Sequence, residues 1–517
     1  MKRRHVKAKI WKYSKGFKFP EEEYIDSKKK NIGLAFSGGG NRSASLTIGY
    51  LRALHHLNLM KDVKYISGVS GGSWAITPYT YHIDSISDNT FLDEFKEPEE
   101  LTLDDIKQAQ KRSFITTISH TKLLDDLLRH IFNGDKIFSR ILADVYLKPY
   151  LIDDSSKFFS YNKKSVEAII SREGNEELRV DDFFLSNKNK PFLIVGGIIT
   201  RSFMSSIHRF PFEMTPLYVG VPPYFKNKGS HGRFDIGGGY VEPFGFDSDS
   251  PDNGIEKDDL VSVRIKKKKR IFSLADMMAT SGAALAEHLD KWLIDVGFPE
   301  YDYWSPRNPQ KAKEYDFADG GLMDNSGIMP LLRRKVEKVI VFVNGTSDLV
   351  SEDKKTNEKV SSMVKALFVK TDNHWGMKNY DLNVVLKEDD KTGMESYEEL
   401  RDEFISLNKQ NKPAVVKKKY KTLRNKAFDI EAGHEVEVLW VHNAFVKQWY
   451  DKIKDTDLQE YINSQRTEKL NFPNYPTFAT NNIKIIDLDV EQVHIMAHHA
   501  SYVINSMKNV FKDFFSK

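Results

Sequence analysis

The 517-residue chain contains no cysteine. Disulfides, thiolate metal sites and cysteine nucleophiles are excluded with it, and the composition is compatible with a reducing compartment. Long apolar runs are missing too. Spanning a bilayer takes roughly 18–20 such residues, whereas the longest candidate, from Phe192 to Ile199, has the length of a buried strand. The basic start Met1-Lys2-Arg3-Arg4 has no apolar segment behind it and does not read as a secretory signal. Nor is there an excess of charge of one sign: the net charge is +4, so no global field draws the chain to nucleic acid, and no nucleic-acid partner is expected. Internal repeats are not found. The composition, 40% hydrophobic and 29% charged, is that of a globular protein, and the length suits two or three domains or one large domain with insertions. A cytoplasmic location follows as the expectation.

Two glycine-rich turns carry most of the chemical information. Ser37-Gly38-Gly39-Gly40-Asn41-Arg42 follows the apolar run from Asn31 to Phe36, and Gly68-Val69-Ser70-Gly71-Gly72-Ser73 follows Tyr65-Ile66-Ser67. The second has the form Gly-x-Ser-x-Gly, a strand-to-helix elbow that lifts a serine hydroxyl into the open. Ser70 is therefore the candidate nucleophile, whereas Ser37 and Ser73 sit at no elbow centre. The first turn sets a row of backbone N–H groups at a helix start, where negative charge is stabilised. Gly38, Gly39 and Gly40 become candidates for an oxyanion hole. A dinucleotide loop would need glycine at the position of Ser43, and a phosphate loop would end in Gly-Lys-Ser/Thr, which is absent. A serine beside an anion cradle suffices for acyl transfer.

Arg42 lies in the first helical turn, where the dipole disfavours a cation. It reads either as a contact to a substrate phosphate or as a surface arginine in water. Asp319, in Asp319-Gly320-Gly321 after Tyr315-Asp316-Phe317-Ala318, is the candidate base, with a plain turn as the alternative. Asp324, in Asp324-Asn325-Ser326-Gly327, reads as a turn or cap. His494 and His498 come late enough to complete a Ser–Asp–His order, and their spacing of four also suits a metal, although no acidic third ligand is evident. Neither a metal nor a cofactor is expected. The basic runs Lys28–Lys30, Lys266–Arg270 and Lys417–Lys419 read as solvated faces; clustered at a site mouth they would hold an anionic membrane surface, each charge contributing about 1 kcal/mol.

Strand, glycine turn and helix follow one another twice, which predicts a parallel sheet covered by helices. The boundaries read as a basic N-terminal arm over 1–30, a catalytic core over 31–346 with a largely helical insertion at 85–190, a polar lysine-rich insertion over 347–435, and a C-terminal part over 436–517 completing the same domain. The stretch with Pro211, Pro216, Pro222, Pro223 and Gly237-Gly238-Gly239 reads as loops. Helices are predicted from about Asn41 to His56, over Leu274–Leu293 with Ser273 as cap, and from about Val490.

On Ser37–Arg42, Gly68–Gly72 and Asp319–Gly321 the chain resembles the patatin-like lipid acyl hydrolases. Phe212-Glu213-Met214-Thr215-Pro216, Thr280-Ser281-Gly282-Ala283-Ala284 and Asn474-Tyr475-Pro476-Thr477-Phe478 look like the cytosolic phospholipase A2 branch. Serine stands in that branch where Gly72 stands here, and plant patatins have glycine where Ser43 does. The resemblance implies an α/β three-layer fold with a central, mostly parallel sheet and helical insertions. It also implies a serine ester hydrolase with a Ser70–Asp319 dyad and no histidine, in which Gly39 and Gly40 hold the oxyanion and Arg42 steadies a phosphate. The expected partners are a phospholipid or lysophospholipid and, peripherally, a membrane or micelle surface. With about 30 residues ahead of the first strand, calcium-triggered docking through a preceding module is not expected. A triad esterase of small esters and an inert lipid-binding protein are the alternatives.

Overall fold

A computed structural model describes residues 4–108, 110–119, 136–187, 189–203, 206–227, 234–265, 271–283, 299–350, 359–371, 382–476, 478–479, 484–485 and 487–516. Fourteen strands form one sheet: β1 Arg4–Lys12, β2 Lys30–Phe36, β3 Val63–Val69, β4 Phe192–Phe203, β5 Ser206–Met214, β6 Val219–Asn227, β7 Phe234–Val241, β8 Leu260–Ile265, β9 Glu300–Ser305, β10 Asn308–Asp319, β11 Lys338–Val343, β12 Leu386–Lys387, β13 Ala414–Thr422 and β14 Glu435–His442. Their order is β8-β1-β7-β6-β5-β4-β3-β2-β11-β14-β13-β12, with the β9–β10 pair attached to β4 through β10. The centre, β4-β3-β2-β11-β14, is parallel, and antiparallel strands extend it on both sides.

The central strands are buried on both faces, as parallel strands must be. Along β11 the side chains alternate between two cores: Ile340 and Phe342 face one, and Val339, Val341 and Val343 the other. Helices α1 Gly40–His56, α2 Gly71–Tyr81, α3 Leu274–Gly282 and α5 Val490–Ser506 contribute to the first core. The second is covered by α4 Gly393–Lys409 through Tyr397, Leu400 and Phe404, and by the short helix Met329–Arg333. Helix–sheet–helix is the three-layer arrangement expected.

Three stretches differ from the sequence reading. Within the stretch read as an N-terminal arm, Arg4–Lys12 is a strand of the sheet. β1 pairs with both β7 and β8, and Val6, Ala8 and Ile10 are buried between lysines; the period-2 alternation was hidden by the charge of its other face. Glu21, fully buried, then accepts hydrogen bonds from Arg334 Nε (2.8 Å) and the Tyr218 hydroxyl (2.6 Å). The loop-rich stretch after β4 is three antiparallel strands, β5 to β7. Between 347 and 435, α4 and β13 fold onto the sheet, β13 pairing with β14 along Ala414–Lys421. Helix α3 is capped by Ser273 as predicted; residues 284–293 of the expected helix, and the run Lys266–Arg270, lie outside the described residues.

Candidate active site

The two glycine turns lie side by side because β2 and β3 are parallel neighbours in register, Phe36 opposite Gly68. Both turns therefore emerge at the same end of the sheet, where sites of open α/β sheets form. The second turn is packed hard against the first. A Cβ on Gly71 would lie 2.0 Å from the Gly40 carbonyl oxygen, so only glycine permits this approach. Ser70 itself has φ 51° and ψ −133°, a left-handed backbone that is strained for a non-glycine residue and fits the elbow. Its N–H donates to the Ser281 carbonyl (3.1 Å) and to Ser281 Oγ (3.0 Å), while that hydroxyl donates to the Gly196 carbonyl at 2.6 Å. Ser281, at the end of α3, thus ties the elbow to β4.

Asp319 reaches the same place by a different route. β3 and the end of β10 use the same edge of β4: Val69 is opposite Gly196, and Asp319 is opposite Gly197. The residue following Val69 and the carboxylate at 319 therefore meet. The Ser70 side chain is close enough to the Asp319 carboxylate to favour its ionised form, and Asp319 Oδ1 accepts the Gly321 N–H at 2.7 Å. Asp319 is 3% exposed and Ser70 7% exposed. Burial pushes the Asp319 carboxyl up to about 7, against the smaller opposing pull of Ser70 and the Gly321 N–H.

The three candidate oxyanion glycines are not equivalent. The Gly38 N–H donates to the Asn325 carbonyl at 3.1 Å, so Gly38 is committed to the fold. Among the described residues no acceptor is recorded for the N–H groups of Gly39 and Gly40, which open α1. Gly39 has φ 140°, a backbone that turns the chain there and that other residues rarely adopt. Its exposed side is covered by Arg42: a Cβ on Gly39 would meet Arg42 Nη2 at 2.6 Å. Arg42 is buried, with Nε donating to the Asn344 carbonyl (2.9 Å) and Nη1 to the Tyr475 carbonyl (2.5 Å). Desolvation lowers its pKa to about 10, still cationic at neutral pH. In this geometry Arg42 braces the glycine turn through the carbonyls of Asn344 and Tyr475.

Sequence reasoning gave no role to Ser281, Asn325 or Asn344. Asn344 follows β11; its N–H donates to Ser37 Oγ (2.8 Å) and its Nδ2 to Ser43 Oγ (3.0 Å). Asn325 Oδ1 occupies the space a side chain on Gly38 or Gly321 would need. Ser281 and Asn325 fall within stretches quoted above, Thr280–Ala284 and Asp324–Gly327, but nothing local assigns them these contacts, which join distant segments. Asp324 is the turn former expected, accepting from Ser326 N–H and Oγ, Gly327 N–H and Met329 N–H. His494 and His498 are engaged elsewhere, with the Asp105 carbonyl (3.2 Å) and Arg52 (3.3 Å) respectively. Among the described residues no histidine hydrogen-bonds to Ser70 or Asp319.

Residues 34–198 match the family model described as patatin-like phospholipase. The matched stretch holds both glycine turns and ends before Asp319. The solved structure of human GIVD cytosolic phospholipase A2 is similar to 96% of this chain at 12% identity, with a TM-score of 0.47, and the chain spans 60% of that structure's length. The same human protein in complex with methyl gamma-linolenyl fluorophosphonate inhibitor and terbium chloride matches at 11% identity, 96% and 60% coverage and a TM-score of 0.42. VipD from Legionella pneumophila matches 62% of this chain and 50% of its own at 13% identity and a TM-score of 0.19. No curated protein sequence matches the chain. Among the described residues no helix is long and apolar enough to cross a membrane.

Proposed function

We propose that the chain is a lipid acyl hydrolase that cleaves fatty-acyl esters of phospholipids or lysophospholipids through a Ser70–Asp319 dyad. The observation carrying this reading is the meeting of the elbow serine, just after Val69, with the buried Asp319 carboxylate on neighbouring residues of β4, the carboxyl titrating near neutrality. Asp319, ionised, takes the Ser70 proton as the hydroxyl oxygen attacks the ester carbonyl. The tetrahedral oxyanion is held by the N–H groups of Gly39 and Gly40 at the positive end of α1. Asp319 then returns the proton to the leaving alcohol, and water, activated by the same carboxylate, releases the fatty acid. Arg42 acts by holding the Gly39 turn through the carbonyls of Asn344 and Tyr475. The domain match to patatin-like phospholipases supports a lipid substrate, and a peripheral encounter with membranes or micelles follows from that substrate class.

The test is fatty-acid release from a panel of phospholipids and lysophospholipids, with short soluble esters for contrast. The wild-type protein is expected to release fatty acid from at least one lipid. Ser70→Ala is expected to reduce this at least about a thousandfold with the fold intact and to lose labelling by a fluorophosphonate probe. Full activity in Ser70→Ala overturns the reading. Retained activity in Asp319→Ala, with loss in His498→Ala, favours a triad on small esters instead.

A further inference from the structure

A cleft of about 850 Å³ opens between the C-terminal half of α1, the segment 89–110 and α5. It is separate from the Ser70 site. Arg52, in its floor, lies twelve residues beyond Gly40 on α1, about 18 Å along the helix axis at 1.5 Å per residue. The floor is made by buried side chains, Arg52 (2% exposed), His494 and His498, and the rim by half-buried and exposed ones.

The floor has a fixed polarity. Arg52 donates from Nε to the Leu92 carbonyl (2.8 Å) and from Nη1 to His498 Nδ1 (3.3 Å). Its Nη2 is buried and has no hydrogen-bond partner among the described residues. Leaving such a donor unsatisfied costs about 1–3 kcal/mol, more for a charged group, which marks it as a place for an acceptor. His494 donates from Nδ1 to the Asp105 carbonyl. Burial, helped by the nearby Arg52 charge, keeps its ring neutral, so its Nε2 presents a bare lone pair. That nitrogen is likewise unpartnered, with Asp93 Oδ2 3.7 Å away. Rim charge has the opposite sign: Asp93, Glu94, Asp104 and Asp105 face one lysine, Lys96, which is itself bonded to Asp105 at 2.8 Å. A simple anion would meet this acidic rim, and a simple cation would leave Arg52 unsatisfied.

We propose that the cleft binds a small zwitterion, its acid group on Arg52 Nη2 and its ammonium between Asp93 and His494. A phosphate–amine head group has this chemistry, whether free in solution or carried on a lipid. Calorimetry with glycerophosphoethanolamine, and with sn-glycerol 3-phosphate and ethanolamine as its two halves, tests the assignment. The intact zwitterion is expected to bind at least tenfold more tightly than either half. Asp93→Asn, at a half-buried helix C-cap with φ 64°, a backbone that asparagine adopts more readily than most residues, is expected to weaken the zwitterion at least tenfold and leave glycerol 3-phosphate unchanged, with an unaltered melting temperature. Sedimentation with vesicles of phosphatidylethanolamine in phosphatidylcholine separates the sources: loss of vesicle binding in Asp93→Asn identifies a lipid-borne head group, and binding of the soluble compound alone a free one. Absence of binding to both, equal affinity for one half, or an unaffected Asp93→Asn overturns the proposal.

Discussion

Two aspartates five residues apart are both buried, and they are treated differently. Asp324 has its oxygens filled by four donors within its own turn. Asp319 receives one backbone N–H and lies beside Ser70. Burial raises the titration of both, but Asp324 is wired into the chain that carries it, whereas Asp319 faces a side chain from a distant segment. A carboxylate that builds a turn is saturated with donors. A carboxylate that is to move a proton is left short of them, and its burial then sets its basicity near neutral pH.

Substitution breaks the comparison most sharply. Asp319→Asn is expected to lower the rate of fatty-acid release by about 10²–10⁴-fold, the usual worth of a positioned base. The same change is expected to stabilise the fold at pH 8. The folded carboxyl titrates near 7 against an ordinary 3.8, so the native state holds a proton that the unfolded chain releases between those values. The stabilisation linked to that proton is complete below about pH 3.8 and is lost as pH rises through 7. The full difference is worth roughly 4 kcal/mol. Melting temperatures of the variant and the wild type are therefore expected to separate at pH 8 and to converge as the pH falls to about 4. Equal values at both would remove the case for a buried, perturbed carboxyl.

The pH profile of kcat/KM in the wild type is the second check. Because the base must be ionised, activity is expected to rise tenfold per pH unit below about 7 and to level off above it. Asp324→Asn is expected to behave in the opposite sense to its neighbour. Asparagine offers one oxygen to four donors and turns an amide toward the Met329 N–H, costing about 1–3 kcal/mol of stability, while the folded fraction keeps its activity. The smallest expected effect is that of Ser281→Ala. It removes one of two acceptors for the Ser70 N–H and the bond to Gly196, and is expected to cost about tenfold in kcat with little change in KM.

Much of the site could be read directly from the chain because its reactive parts are local. Strand, glycine turn and helix are contiguous at 31–56 and again at 63–81, and each turn announces its own geometry. Asp319 became legible only beside the two front motifs. The groups that make the site precise were not legible: Gly38 looks like its neighbours until the Asn325 carbonyl takes its N–H, and Arg42 reads as a free cation until the carbonyls of Asn344 and Tyr475 appear. In the fold, the parallel centre was readable from continuous apolar runs. β1 and β5–β7 were missed because lysines occupy the outward positions of one and prolines and glycines punctuate the others. Long-range pairing, which no local window contains, decides those elements.

The registration of two strands on β4 has a mechanical implication. Val69, the residue before Ser70, is opposite Gly196 and Asp319 is opposite Gly197, so one peptide link in a segment without side chains acts as the ruler between Ser70 and Asp319. Lengthening that ruler by a single inserted residue would pull the pair apart while leaving every recognisable motif intact, and a homologue bearing such an insertion would keep the look of an esterase without the means to be one.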